Sequence, residues 1–277
     1  MAKNIPLVRR FVAGTVFEDV LPHQQKLADA GITTTINILG EDCRCEQQAR
    51  AMCQIYLRAI AKIRTTDCYL SIKPTMIGLA HSSALASELL QTLIVAARAR
   101  GVFIRLDMES SRYVDATLDL YAEAKRQYDQ LGIVLQAYLH RTVADVERLQ
   151  KIGAHIRLCK GAYKEPASVA FQDMHAIRKN YLKIAAILLK NFSNTAFATH
   201  DDELIKAIQA CASPQQADFE FQMLFGMRRK TWYSIRARGY RMRVYIPYGD
   251  NWFPYFSRRV LERKENLFFV LRNLIKD

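Results

Sequence analysis

The residues best suited to chemistry begin near the C-terminal end, in "YFSRRVLERKEN". At helical spacing Tyr255, Arg258, Arg259 and Glu262 fall on one face. The planar fork of arginine matches a carboxylate or phosphate in bidentate fashion, so two adjacent forks make an anion clamp. A solvated charged face on a terminal helix would carry the same residues, so the pair needs support from elsewhere. Further cations close β-rich runs: Lys73 after "CYLSI", and Arg157 and Lys160 in "AHIRLCK". Asp107 and Glu262 are placed to hold them by ion pairing. No Ser-His-Asp order stands out and no HExxH pattern occurs. Lys73 and Lys160 end strands as Schiff-base lysines do, so spacing leaves an aldolase-like lyase and a cofactor enzyme both open.

These residues need a frame that converges them. Eight short runs rich in Ile, Val, Thr, Phe and Tyr read as strands: "TTTINILG", "CYLSIK", "VFIRLDM", "IVLQAYL", "AHIRLCK", "NTAFATH", "DFEFQML" and "RMRVYIP". Between them lie stretches with apolar residues at helical spacing, such as "SSALASELLQTLIVAARARG" and "ATLDLYAEAKRQYDQLG", which end at glycine as helix C-caps often do. Eight strands, each followed by a helix, predict an α/β fold, a (β/α)8 TIM-type barrel. An open doubly wound sheet is the alternative, but no GxGxxG or P-loop pattern marks one. Residues 1–277 read as a single domain, with 1–31 as an N-terminal helical segment and 32–277 as barrel and final helix. The helix-like "VFEDVLPHQQKLADAG" before the first strand could cap the bottom of the barrel.

Barrel chemistry sits at the C-terminal ends of the strands. Reading those ends in order gives Glu41, Lys73, Asp107 with Glu109, Gln136 with His140 and Arg141, Arg157 with Lys160, Thr199 with His200, Glu220 with Gln222, and Tyr245. One such residue alone is usually a satisfied polar group; convergence from all eight strands points to a site on a basic rim.

With half of its 277 residues hydrophobic and 24% charged, the chain has a globular composition. The net charge of +13 calls for an anionic partner, which could be a phosphate-bearing cofactor or an acidic lipid surface. The charge is spread along the chain without a nucleic-acid fold signature, so no nucleic-acid partner is expected. The start lacks a leader's long apolar core, and no apolar run approaches the ~20 residues that span a bilayer. A cytoplasmic protein is expected, with peripheral attachment at the inner face of the membrane allowed by charge. Cys43, Cys45 and Cys53 do not form a good zinc pattern, and no metal is expected.

The pieces "RLDMES", "LQAYL", "RLCKGAYKEP", "FATHD", "EFQMLFGMR" and "VYIPYGDNWFPYFSRRVLER", in barrel order, carry a resemblance over nearly the whole chain. The sequence resembles the monofunctional proline dehydrogenases, flavin enzymes of proline catabolism. The resemblance implies a distorted barrel with a C-terminal helix over its mouth and FAD as cofactor. It implies oxidation of L-proline to 1-pyrroline-5-carboxylate, by hydride transfer to flavin N5, with electrons passed to a membrane quinone. A 1-pyrroline-5-carboxylate dehydrogenase is then a transient partner. Carried over by position, Arg258, Arg259 and Lys73 would clamp the substrate carboxylate and Glu262 would orient them. Tyr163, Ala162, Leu224, Tyr245 and Tyr255 would wall the ring. Arg157 would lie at the flavin edge, with Gln136, Cys159, Lys160, Gly161, Thr199 and His200 along the cofactor. No residue is assigned as catalytic outright; Tyr245 and Asp107 are supporting, Asp107 by steadying the tyrosine or cation network. Cys159 stands where the family usually has valine. Lys164 stands where bifunctional relatives carry tryptophan, which agrees with the monofunctional branch. The competing readings are the lyase already mentioned and a basic binding protein without chemistry.

Overall fold

The computed structural model describes residues 6–40, 42–64 and 67–253. Eight parallel strands close into one barrel in sequence order. They are β1 (Thr33–Ile38), β2 (Cys68–Ile72), β3 (Ile104–Leu106), β4 (Leu131–Gln136), β5 (His155–Cys159), β6 (Thr195–Ala198), β7 (Phe219–Leu224) and β8 (Arg241–Tyr248). β1 closes on β8 from Thr33 opposite Arg243 to Ile38 opposite Tyr248. The helices are α1 (Pro6–Phe11), α2 (Leu21–Asp29), α3 (Glu46–Lys62), α4 (Ser83–Arg100), α5 (Val114–Lys125), α6 (Thr142–Gln150), α7 (Met174–Asn191), α8 (Asp202–Cys211) and α9 (Arg229–Ala237). All eight predicted strands are present, while the final helix lies outside the described residues.

The helices form where caps and apolar stripes coincide. In α7 the Asp173 carboxylate accepts from the Ala176 N–H at 2.8 Å, capping the first turn. Ile177, Tyr181, Ile184, Ala185 and Leu188 then make one buried face. Tyr181 also donates to the Leu158 carbonyl at 3.0 Å, pinning α7 to β5. α4 starts at a Ser82 cap and stops at Gly101, whose φ of +64° few other residues adopt. "ATLDLYAEAKRQYDQLG" behaves differently: α5 ends at Lys125, and Gly132 sits inside β4. A Cβ at Gly132 would lie 2.8 Å from Nη1 of Arg105, so the glycine makes room for a guanidinium.

The N-terminal segment does not cap the barrel floor. Residues 10–14 run along the mouth, where Arg10 Nε donates to the Gly226 carbonyl at 3.2 Å and Ala13 N–H to the Pro247 carbonyl at 2.9 Å. α2 then descends the outside of the barrel. Phe17, just before it, meets Tyr248 edge-on at 6.0 Å, and Gln24 donates to Thr34 Oγ1 at 3.3 Å. The displacement has a simple cause: Phe17, Val20 and Leu27 are buried, and the groove beside β1 and β8 is where an apolar stripe finds cover.

Three consecutive mouth loops are stapled by a shared hydroxyl. Thr75 Oγ1 lies 2.8 Å from Glu109 Oε1 and 2.9 Å from Asp42 Oδ1, and the Thr75 N–H donates to Glu109 Oε2 at 2.9 Å. One hydroxyl proton is shared between two carboxylates, which leaves the more buried of them, Glu109, short of donors and favours its neutral form. Burial pushes the Glu109 carboxyl up to about 7, opposed by its hydrogen bonds from Thr75 and by Lys73.

The folded state favours neutral Glu109, so its contribution is full below the ordinary value of 4.5 and is lost as pH rises through about 7. Glu109→Gln can keep the Thr75 contacts without titrating. Its thermal stability should depend less on pH between 5 and 8 than that of the parent, and equal slopes would refute the neutral acid. At Gly226, φ is +77° and a Cβ would fall 1.8 Å from the Arg10 carbonyl oxygen. Gly226→Ala should therefore cost about 1–3 kcal/mol, read by denaturant unfolding.

Candidate active site

Alternation along the strands sorts the chain chemically. Ile36, Leu70, Ile104, Ile133, Ile156, Phe197, Phe221 and Val244 are buried in the apolar core. The residues between them face the barrel interior and are largely polar: Tyr69 and Ser71, Arg105 and Asp107, Arg157, Glu220 and Gln222, Arg243 and Tyr245. Barrels more often fill this space with branched apolar side chains.

The upper part of this interior centres on Asp107, just past β3. Its Oδ2 accepts from the Tyr245 hydroxyl at 2.7 Å, and its Oδ1 accepts from the Ser71 hydroxyl at 2.6 Å and from Arg157 Nη2. The Arg157 guanidinium lies 5.1 Å from the Tyr245 ring centroid, and its Nη1 donates to Gln222 Oε1 at 3.3 Å. Asp107 and Arg157 are both buried. A buried pair adds little net stability but holds its geometry firmly, because removing one partner strands the other at about 3–5 kcal/mol.

The network continues downward. Gln222 Nε2 donates to Glu220 Oε1 at 2.6 Å, and Arg243 Nε reaches the same oxygen at 2.8 Å. Burial would raise the Glu220 carboxyl, but the Arg243 guanidinium and the Gln222 amide hold it below the usual range. Hydrogen bonds thus run unbroken from Tyr245 at the mouth to Arg243 near the floor.

The other residues nominated from sequence divide into groups. Lys73 lies at the mouth after β2, with Nζ donating to the Gly40 carbonyl at 3.0 Å. Leu224 ends β7, half-buried, and its N–H donates to His200 Nε2 at 3.0 Å, which fixes the proton on the other ring nitrogen. Thr199 is buried and accepts from the Asp201 N–H at 3.1 Å. Cys159, Ala162 and Tyr163 are half-buried on the β5 side of the mouth. Gln136 is buried on β4, with Nε2 directed to the Met108 carbonyl at 3.4 Å. Lys160 faces away from the interior, in a 3.1 Å pair with Asp201, which Arg178 also holds at 2.8 Å. Its amine is therefore not presented as a Schiff-base nucleophile to the barrel. Among the rim candidates, Arg141 is tied to Asp115 and Asp145 on the outer surface. Tyr255, Arg258, Arg259 and Glu262, like Glu41, lie outside the described residues.

Sequence reading missed Ser71, Arg105 and Arg243 as members of the interior network. Their signal was present as polar residues two apart, in "YLSIK", "IRLDMES" and "RMRVY".

Comparison with known proteins gives one answer. A family model described as proline dehydrogenase matches residues 20–272. Proline dehydrogenase 1 of Bacillus subtilis subsp. natto is 38% identical over 274 residues, covering 97% of this chain and 90% of the relative. Proline dehydrogenase of Deinococcus radiodurans is 35% identical over 282 residues, covering 98% and 90%. Among solved structures, proline utilization A (PutA) from Bdellovibrio bacteriovorus, inactivated by N-propargylglycine, superposes with a TM-score of 0.85 at 26% identity. That match covers 92% of this chain and 32% of the larger protein. By the family model and by relatives matched along almost their whole length, the chain belongs to the proline dehydrogenase family.

Proposed function

We propose that this family member oxidises L-proline to 1-pyrroline-5-carboxylate with FAD as hydride acceptor, and passes the electrons to a membrane quinone. The observation that carries the reading is the Asp107 hub, which fixes a guanidinium and a tyrosine ring together at the barrel mouth.

The mouth offers a flavin one open acceptor beside a tightly packed loop. Gln136 Oε1 is buried with no hydrogen-bond partner among the described residues, an open acceptor suited to a ligand N–H such as the isoalloxazine imide. Gly161 has φ of +114°, and a Cβ there would meet the Tyr138 ring at 2.1 Å, so the loop beyond β5 exists only in this close-packed form. Gln136, Arg157, Cys159, Gly161, Thr199 and His200 would hold the cofactor. Lys160 anchors that loop, its side chain bonded to Asp201 and its carbonyl to the Tyr138 N–H at 2.8 Å.

FAD, when bound, supplies the two-electron acceptor. The chain supplies position and field. Arg157, held by Asp107, is a fixed cation where negative charge develops on reduction. Lys73, with Arg258 and Arg259 oriented by Glu262, would grip the substrate carboxylate and leave the ring one orientation. Tyr245, Tyr255, Leu224, Ala162 and Tyr163 would give a small saturated ring a fitted wall. The ring amine must be neutral for its lone pair to drive the step; among the described residues no strong base faces the hub, and its proton leaves to solvent. No helix among the described residues is long and apolar enough to cross a membrane. The +13 charge suits attraction to an anionic membrane face, where a cytoplasmic enzyme would meet the quinone, with 1-pyrroline-5-carboxylate dehydrogenase taking the product.

The purified protein should show flavin absorbance that bleaches when L-proline is added without oxygen, and Arg258→Met should not bleach at the same concentration. Flavin that ignores proline would overturn the substrate; no flavin even after incubation with FAD would overturn the cofactor. Asp107→Ala frees both Arg157 and Tyr245, and kcat/KM should fall roughly 10–100-fold. In the parent, kcat/KM should rise from neutral to alkaline pH as the substrate amine loses its proton; a flat profile would contradict that step.

A further inference from the structure

Among the described residues the charges inside the barrel do not cancel. Three guanidiniums, of Arg105, Arg157 and Arg243, share the interior with two carboxylates, of Asp107 and Glu220. Asp107 is committed to Arg157 and Glu220 to Arg243. Arg105 is left over. It is 2% exposed, and among the described residues no carboxylate lies within 4.0 Å of its nitrogens. Its Nη1 donates to the carbonyls of His155 at 3.1 Å and Ile133 at 3.4 Å, its Cζ lies 5.1 Å from the Phe103 ring, and its Nε has no partner. Burial, then Arg157 above it, bring its ordinarily very basic group down to about 10 against the more distant attraction of Glu220, so it remains a cation at neutral pH.

The arrangement is built, since Gly132 leaves the space that the guanidinium occupies. Arg105 also sits two residues before Asp107 on the same strand, roughly 7 Å beneath the hub. A fixed charge at that depth acts on the mouth through protein rather than through bulk solvent. A floor cavity of about 250 Å³ opens on its other side, lined by Arg105, Phe103 and His155 and by the carboxylates of Asp129 and Glu220, neither of which pairs with Arg105. The effective dielectric is therefore intermediate, and a unit charge about 10 Å from a ligand then changes an anion's affinity on the order of tenfold.

We infer that Arg105 is a remote positioning charge for the reaction: its guanidinium, without an ion-pair partner among the described residues, keeps the barrel mouth electropositive and so favours anionic occupants there. Those occupants are the substrate carboxylate and, on the FAD reading above, the anionic reduced flavin. Glu220 has the opposite sense, because its carboxylate offsets one interior cation.

The test uses sign. Arg105→Met removes one positive charge, Glu220→Gln removes one negative charge and can still accept from Arg243, and Arg105→Lys keeps the charge while losing the guanidinium's shape. Two quantities are measured on each flavin-loaded protein: the midpoint potential of the flavin, and the Kd of cyclopentanecarboxylate against neutral cyclopentanecarboxamide. Arg105→Met should shift the potential negative and weaken the carboxylate about tenfold without weakening the amide. Glu220→Gln should shift both charge-sensitive readouts the opposite way, and Arg105→Lys should stay near the parent. A structural role would move both ligands together, or move the Met and Gln variants in the same direction, and either result overturns the inference. Unshifted readouts in both variants overturn it too. Should Arg105→Met not fold, the Glu220→Gln and Arg105→Lys pair decides by the same signs. Absence of flavin in the parent would defeat the cofactor assignment alone, since the carboxylate and amide pair still reads the charge.

Discussion

One carboxylate organises the interior of this barrel. Asp107 takes donors from three other strands at once: the Ser71 hydroxyl of β2, the Arg157 guanidinium of β5 and the Tyr245 hydroxyl of β8. Neither oxygen can turn without breaking a bond to a buried group, and an orphaned buried donor is costly. The three donors are therefore fixed relative to one another before any ligand arrives. Such pre-set dipoles and charges need no reorganisation when charge develops nearby. The hub also explains why Arg157 is an instrument of the mouth, since its second nitrogen is held from below by Gln222 and the polar column beneath it.

The fold tolerates so polar a centre because its apolar burial lies elsewhere. The outward residues of the strands, Ile36, Leu70, Ile133 and Phe221 among them, pack under the helices in one continuous cluster. That shell carries the hydrophobic driving force, roughly proportional to apolar area removed from water. The inner positions are released from that duty. They hold instead a column of hydrogen bonds in which nearly every charged group has an assigned partner, as a low-dielectric setting requires.

Much of this was legible in the sequence, and the limits have physical causes. Strand positions could be read because β-branched runs and length suffice for that. The barrel followed from their number. Which side chains turn inward was harder, because alternation has two phases and only closure shows which phase is enclosed. Ser71 and Arg243 were passed over for that reason, although each stands two residues from a nominated neighbour. Gly132 was read as a helix stop because glycine serves both as a C-cap and as a gap for a neighbouring side chain; only the Arg105 guanidinium distinguishes the two. Lys160 stands at a strand end beside the cofactor candidates, but its partner Asp201 follows the next strand, a pairing that sequence proximity hides. The arginine pair near the C-terminal end was read from spacing and resemblance.

The closure of the barrel joins its first-made and last-made strands. The main chain of Ala13 and Gly14 bonds to that of Pro247 and Gly249, and β1 pairs with β8 along its length. At synthesis rates of roughly 5–20 residues per second, β1 waits on the order of 10–40 seconds for its second neighbour to be made. Throughout that interval the growing sheet keeps a free edge and the polar column has no lid of strands. A nascent chain in that state is open to pairing with the wrong edge. The last barrel strand to be made is the one that seals this interior.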